Sequence, residues 1–78
     1  MKARVTIMPK TGVLDPQGKA IEGALASLGF EGVRSVRQGK LIEVEVDAEG
    51  EEGRAAVARM AEQLLANPVM ETYRIETD

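Results

Sequence analysis

The side chains of this sequence that can carry chemistry are carboxylates, lysines, arginines, hydroxyls and one tyrosine. The 78 residues include no cysteine and no histidine, so thiol nucleophiles, imidazole bases and the usual zinc ligand sets are excluded. Carboxylates by themselves can still bind Mg²⁺ or act as acid and base. However, the sequence has no glycine-rich phosphate loop with its lysine, no nucleophile elbow and no paired catalytic acid. We therefore expect no catalytic residue and no metal site, and a small enzyme that uses carboxylates or Tyr73 is the weakest interpretation.

The least generic stretch is the loop between the first strand pattern and the first helix pattern. Pro9 ends the strand because it has no N–H to donate, and Gly12 allows the chain to turn. Asp15 followed by Pro16 is typical of a helix N-cap and a first helical residue, with an interface or ligand role for Asp15 as the alternative. Lys10 has no obvious intrachain partner and lies by a helix N-terminus, where anions bind readily. A solvated lysine and a functional cation are both open interpretations.

A second basic group, Arg34, Arg37 and Lys40, surrounds Gly39. In a regular strand Arg34 and Lys40 share one face and Arg37 lies on the other, which weakens the case for a single basic patch. Surface ion pairs with the many glutamates are one explanation of this group. Recognition of a phosphate or of an acidic partner is the other.

The elements that must position these residues follow from the apolar periodicity. From Ala3 to Ile7, apolar residues alternate with polar ones, as in a strand with one buried face. The spacing i, i+3, i+4 and i+7 then predicts a helix from about Pro16 to Leu28, closed by Gly29 in a left-handed C-cap. Gly18 and Gly23 lie inside this helix, where either packing tolerates them or another backbone approaches closely.

The second half of the chain again contains strand and helix patterns. Apolar residues alternate from Ile42 to Val46, with carboxylates facing outward. Gly39 marks either a two-residue hairpin turn or a bend in one long strand, and we favour two strands, or two strand arms, on either side of it. A second apolar stripe predicts a helix that stops at Asn67, which tolerates the left-handed conformation, and at Pro68, which cannot continue the helix. The closing strand is predicted from Val69 to Glu76.

The order strand, helix, one or two strands, helix, strand predicts an α+β fold, with two helices packed on one face of a small antiparallel sheet of ferredoxin-like type. Residues 1–78 are predicted to form a single domain, since the chain has no linker and no repeat. Four apolar residues fall out of phase with the core-facing sets: Met1, Met8, Leu41 and Met70. Because they would leave apolar surface on the sheet, we expect a homo-oligomer.

The charge of the chain restricts its partners. The formal net charge is −3 with both signs interspersed, which argues against a nucleic-acid partner. No apolar run approaches the ~18 residues of a membrane span. Without cysteines there is no disulfide framework to suggest secretion. We therefore expect a cytoplasmic protein that binds neither membranes nor nucleic acid.

Several of these segments together resemble the PurS family, and the resemblance extends over the whole chain. It rests on VTIMPK (residues 5–10), GVLDPQG (12–18), the pairs Ala24-Leu25 and Leu28-Gly29, VRQGK (36–40), LLANPV (64–69), and the strand with Tyr73 and Ile75. The first two motifs are distinctive in combination. PurS is the small subunit of bacterial and archaeal phosphoribosylformylglycinamidine (FGAM) synthase, an enzyme of purine biosynthesis.

The resemblance implies a PurS-like fold and an accessory rather than a catalytic role. In this family PurS joins PurL, which uses ATP and Mg²⁺ to activate its substrate, and PurQ, the glutaminase that supplies ammonia. PurS is thought to hold the complex together and to help ammonia pass between the sites. The resemblance thus implies no cofactor on this subunit, PurL-type and PurQ-type partners, and a homodimer or homotetramer.

The same resemblance suggests which residues face a partner. Six motif positions are assigned to the partner surface: Lys10, Asp15, Gln17, Gly18, Arg37 and Lys40. Seven others are assigned structural roles: Pro9, Gly12, Pro16, Gly29, Gly39, Asn67 and Pro68. The rival interpretation is a homo-oligomeric regulatory module of ferredoxin-like fold that binds a small ligand. Neighbouring genes for the synthase and the glutaminase would favour the first interpretation over the second.

Overall fold

A computed structural model describes all residues from 1 to 78. Its elements in chain order are strand β1 (Lys2–Pro9), helix α1 (Pro16–Ser27), strand β2 (Lys40–Glu45), helix α2 (Gly50–Met60) and strand β3 (Glu71–Thr77). A π-helical segment, Ala61–Leu65, continues α2. Two helices and an antiparallel sheet confirm the predicted α+β class.

The sheet has three antiparallel strands in the order β2-β1-β3. Val5 at the centre of β1 pairs with Ile42 on one side and with Ile75 on the other. Since directly paired residues share a face, the predicted alternation gathers the apolar side chains of all three strands on one side.

The core lies between this apolar face and α2. Val5, Ile7 and Val57 are its largest fully buried side chains, and Ala61 of the π-helical segment is also fully buried. Tyr73 and other partly buried residues pack around them. α2 therefore takes the position that its apolar stripe predicts.

Helix α1 does not pack on the sheet, so the prediction of two helices on one face holds for α2 only. None of the apolar side chains of α1 belongs to the core, and Leu28 just after the helix is 73% exposed. The reason is one of size, because three strands about 4.8 Å apart form a sheet about as wide as one helix of ~10 Å. Helix α1 and the chain that follows it, residues 16–36, project from the sheet, and we call them the arm.

The segment between α1 and β2 forms no strand, so the preference for two strands around Gly39 is wrong. Residues 31–39 have no regular structure, and β2 begins at Lys40. Val33 and Val36 are three residues apart and cannot share one face of a strand, which agrees with this result. Gly39 instead lies so close to the carbonyl of Ile7 that a Cβ would not fit.

The opposite face of the sheet is uncovered and mostly charged. Arg4 in β1 pairs in register with Glu43 on one side and with Glu76 on the other, and its guanidinium binds Asp78 at 2.8 Å. Leu41 also lies on this face and is 58% exposed, as its phase in the sequence predicts. Apolar surface thus remains both here and on the arm.

Candidate partner-binding surface

Asp15 lies at the point where the arm meets the sheet. One carboxylate oxygen accepts a hydrogen bond from the backbone N–H of Gly18 at 3.0 Å, which confirms the predicted N-cap. The other oxygen accepts from the backbone N–H of Gln38 at 2.8 Å. These bonds, the one from Gln38 foremost, hold the pKa of Asp15 below its ordinary value, and the charge of Arg37 acts in the same direction. The carboxylate therefore joins helix α1 to the segment just before β2.

Gly18 is the buried residue of α1, and its neighbours answer the question that the sequence left open. A Cβ at this position would collide with the carbonyl oxygen of Val36 and with the carboxylate of Asp15. Gly18 is therefore a site of close backbone approach. A Cβ at Gly23 would meet no atom within 4 Å, so packing does not require this second glycine.

Gln17 and Arg37 complete the junction. The Gln17 side-chain oxygen accepts a hydrogen bond from the Gln38 side-chain amide at 2.9 Å. The Arg37 guanidinium donates to the carbonyl of Pro9. We call Asp15, Gln17, Gly18, Arg37 and Gln38 the joint cluster, and it contains four of the six residues assigned to the partner surface.

Lys10 lies outside the joint cluster and has the intrachain partner that sequence reasoning did not find. Its ammonium donates to the carbonyl of Pro68 at 2.9 Å, and its backbone N–H donates to the carbonyl of Met70 at 2.9 Å. Both acceptors lie in the turn before β3. Lys10 is nevertheless exposed at the surface.

The side chain of Lys40, the sixth assigned residue, makes no hydrogen bond or ion pair, although its backbone is part of β2 and pairs with Ile7. It is exposed and lines a shallow cavity with Gln17 and Glu71. A neighbouring open groove of about 460 Å³ extends from Pro9 and Leu14 past the joint cluster to Met70. The assigned residues therefore surround one region of the surface rather than scattering over the chain.

The backbone conformation of Gly12, Gly29 and Asn67 tests the structural roles assigned to them. Gly12 and Gly29 have positive φ values of 87° and 91°, as a turn and a helix C-cap require. Asn67 does not adopt a positive φ, so the left-handed stop predicted there is wrong. Its side-chain oxygen instead accepts from the backbone N–H of Val69 at 3.0 Å, and its own backbone N–H donates to Glu71 at 2.7 Å. Local side-chain bonding thus replaces the special backbone conformation.

Three residues of structural importance were missed by sequence reasoning. Gln38 supplies the N–H and the amide that reach Asp15 and Gln17; it lies in the VRQGK motif, but its residue type gives no sign of these contacts. Glu22 accepts from the backbone N–H of Val36 at 3.1 Å. Glu62 accepts from the hydroxyl of Tyr73 at 2.9 Å, and this contact raises the pKa of the Tyr73 phenol.

The polar atoms of this region mostly bind one another. No group of three or more acidic side chains is placed so as to hold a metal ion. Neither helix combines the length and apolar character needed to cross a membrane. Fold and surface together define an α+β domain, in which a polar junction fixes an arm with exposed apolar side chains.

Comparison with known proteins identifies the particular family. The family model PurS, described as phosphoribosylformylglycinamidine (FGAM) synthase, matches residues 2–78. The PurS subunit of FGAM synthase from Mycobacterium leprae is 46% identical over 74 residues, which are 95% of this chain and 91% of the relative. The chain belongs to the PurS family.

Solved structures agree in fold. Bacillus subtilis PurS superposes with a TM-score of 0.86 at 41% identity, covering 96% of this chain and 94% of that one. A chain of the PurLQS structure from Thermotoga maritima superposes with a TM-score of 0.84 at 36% identity, covering 96% of this chain and 93% of that one. The resemblance found in the sequence motifs is thus confirmed over nearly the full length.

Proposed function

We propose that this chain is the non-catalytic subunit that holds together the synthase and the glutaminase of FGAM synthase. As a member of its family, it is a PurS subunit of this enzyme in purine biosynthesis. The observation that carries the assembly role is its similarity to a chain of a PurLQS structure, whose name lists PurL, PurQ and PurS together. Its partners are accordingly a PurL-type and a PurQ-type subunit, in the cytoplasm.

The proposed division of labour leaves the chemistry to the partners. ATP and Mg²⁺ act on the PurL-type subunit, and this chain carries no cofactor. It helps ammonia to pass from the glutaminase to the synthase by holding the two larger subunits in a fixed relative position. The composition supports this proposal, because a chain without cysteine and histidine lacks the usual nucleophile and base of glutamine hydrolysis.

The proposed partner surface is the region around the joint cluster. Asp15 and Gly18 give this region its shape, while exposed side chains of Lys10, Arg37 and Lys40 surround it with positive charge. Such a rim favours encounter with an acidic partner surface and contributes more to association rate than to final affinity.

The chain also forms a homodimer or homotetramer in this proposal. Leu28 and Phe30 on the arm are 73% and 60% exposed, and Leu41 on the open sheet face is 58% exposed. A domain of this size rarely leaves so many large apolar side chains in water without a partner. Self-association through these residues would cover them.

A charge reversal tests the proposed surface. Lys10→Glu should weaken binding to PurL and PurQ, measured by sedimentation of the mixed subunits, because it replaces a rim cation with a carboxylate. The substitution also removes the hydrogen bond from the Lys10 ammonium to the carbonyl of Pro68. Because this bond is exposed to solvent, the thermal midpoint of the isolated chain should change little. Arg59→Glu is the matched control, since the side chain of Arg59 is exposed on α2 and makes no hydrogen bond or ion pair.

The opposite pattern would assign Lys10 a structural role. A large drop of the thermal midpoint with unchanged binding to the larger subunits would contradict its place on the partner surface. Equal weakening by Arg59→Glu would show a general charge effect instead of a local contact.

A further inference from the structure

The arm is attached to the rest of the molecule by polar contacts instead of by the hydrophobic core. All six core residues lie in β1, in α2 and in the chain from Ala61 to Ala66, and no side chain of the arm is among them. The hydrogen bonds that join α1 and its cap to residues beyond the arm reach Gln38, and a further bond, from the backbone N–H of Val36 to Glu22, lies within the arm. The overall shape agrees, because the radius of gyration of 15.8 Å exceeds the ~11.5 Å of a compact chain of this length.

Helix α1 has little stability of its own. It has 12 residues, it contains two glycines, and it has no acidic residue in its first turn and no basic residue in its last. Isolated helices of about this length are marginal in water even with better sequences. The contacts at its N-terminal end must therefore contribute much of the free energy that keeps it folded in a single chain.

Among these contacts, the Asp15 carboxylate is the group that binds both sides of the junction at once. One oxygen holds the first turn of α1 and the other holds the backbone of Gln38, just before β2. Gly18 makes this arrangement possible, because any side chain there would fill the space that the carboxylate and the Val36 carbonyl occupy. The contact is thus a bridge between two segments and more than a helix cap.

We propose that the arm is a separate folding unit and that Asp15 latches it to the sheet. The arm opens without unfolding the sheet, and loss of the Asp15 bridge makes this opening more frequent. Where the proposed assembly role holds, the latch also sets the angle at which Leu28 and Phe30 are presented to a partner.

Hydrogen–deuterium exchange of the full chain tests the latch independently of any partner. In the native chain, amides of residues 21–28 should exchange at least tenfold faster than the slowest amides of β1, because local opening costs less than global unfolding. Asp15→Asn should accelerate exchange at residues 21–28 by a further factor of about ten, while the slowest β1 amides accelerate by no more than that and stay at least tenfold slower than residues 21–28. Asparagine still caps helices well but offers one acceptor where the bridge needs two.

Matched variants separate the bridge from the cap and from charge. Asp15→Ser keeps a good N-cap with a side chain too short to reach Gln38, so it should act like Asp15→Asn. Asp47→Asn makes the same chemical change at an exposed aspartate that accepts no hydrogen bond, and it should accelerate nothing. The differences between variants should persist when the protein is diluted, which separates the latch from self-association.

Two results would overturn this inference. Equal exchange rates for residues 21–28 and for the slowest β1 amides would show that arm and sheet open as one unit. Unchanged exchange in both Asp15 variants would show that the carboxylate is not the latch. Either result can occur while the chain still binds PurL and PurQ, so it leaves the proposed function untouched.

Discussion

The carboxylate of Asp15 does more than cap α1, because its second oxygen binds the backbone of Gln38, 23 residues further along the chain. A sequence pattern can reveal the cap, since the capping partner is only three residues away. It cannot reveal the second bond, whose partner is a backbone N–H and therefore leaves no trace in residue type. Single residues in this protein thus combine a local role that the sequence predicts with a distant one that it does not.

The two bonds of Asp15 predict how stability depends on pH. Its folded pKa lies below the unfolded value, so the bonds stabilise the fold fully above the unfolded pKa and are lost as pH falls through the folded pKa. The thermal midpoint of Asp15→Asn should therefore lie below that of the native chain at pH 7. The gap should close as the pH drops below about 4, the ordinary range for aspartate. Arg37 is the charged group that faces this carboxylate and favours its ionised form.

Differential scanning calorimetry from pH 7 to pH 2.5 measures this gap. Asp47→Asn provides the control and should follow the native chain throughout, because the Asp47 side chain accepts no hydrogen bond. A gap between native chain and Asp15→Asn that stays constant down to the lowest pH would contradict the assigned role of the ionised carboxylate.

At the scale of elements, the two helices show how much of their packing follows from apolar periodicity alone. Both patterns carry the same i, i+3, i+4, i+7 stripe, yet Val57 of α2 is completely buried while Leu28, the stripe residue just after α1, stays mostly exposed. Periodicity predicts that a helix has an apolar face, but the width of the sheet decides how many helices that sheet can cover. The strands β1 and β3, most of β2, both helices and the cap were therefore predictable, whereas the irregular segment before β2 and the projection of α1 were not.

The clustering of the residues assigned to the candidate surface was predictable to a similar degree. The motifs brought Asp15, Gln17, Gly18 and Arg37 forward, and the structure gathers these four at one junction. The sequence did not predict side-chain contacts to backbone atoms, such as the hydrogen bond from Lys10 to the carbonyl of Pro68. A backbone acceptor is present at every residue, so composition and spacing do not indicate which one a side chain will reach.

The two glycines inside α1 give a matched pair for testing how the arm is attached. Gly18→Ala should reduce the free energy of unfolding by about 2 kcal/mol, because the new methyl group collides with the Val36 carbonyl and the Asp15 carboxylate. Gly23→Ala should instead raise it by up to about 1 kcal/mol, since alanine favours the helix and meets open space there. Urea denaturation followed by helical circular dichroism measures both. A neutral or stabilising effect of Gly18→Ala would show that the junction does not constrain Gly18.

The whole molecule has an extended shape that suits a connecting subunit. It measures 48 × 25 × 15 Å along its principal axes, and the sheet with α2 lies apart from the exposed end of the arm. A chain with separate surfaces of this kind can contact several neighbours at once, whereas a compact domain of 78 residues offers less area to each. This extended shape supports an assembly role, which requires separate contact surfaces and no reactive centre.

The most direct test of the assembly role compares two nitrogen sources for FGAM formation. Purified PurL and PurQ are assayed with glutamine and, separately, with ammonium chloride, each with and without this chain. We expect ammonia-dependent activity to need PurL alone, because free ammonia requires no coupling between subunits. Glutamine-dependent activity should need all three proteins, and this chain alone should turn over nothing. Equal glutamine-dependent activity of PurL and PurQ in the absence of this chain would contradict the account.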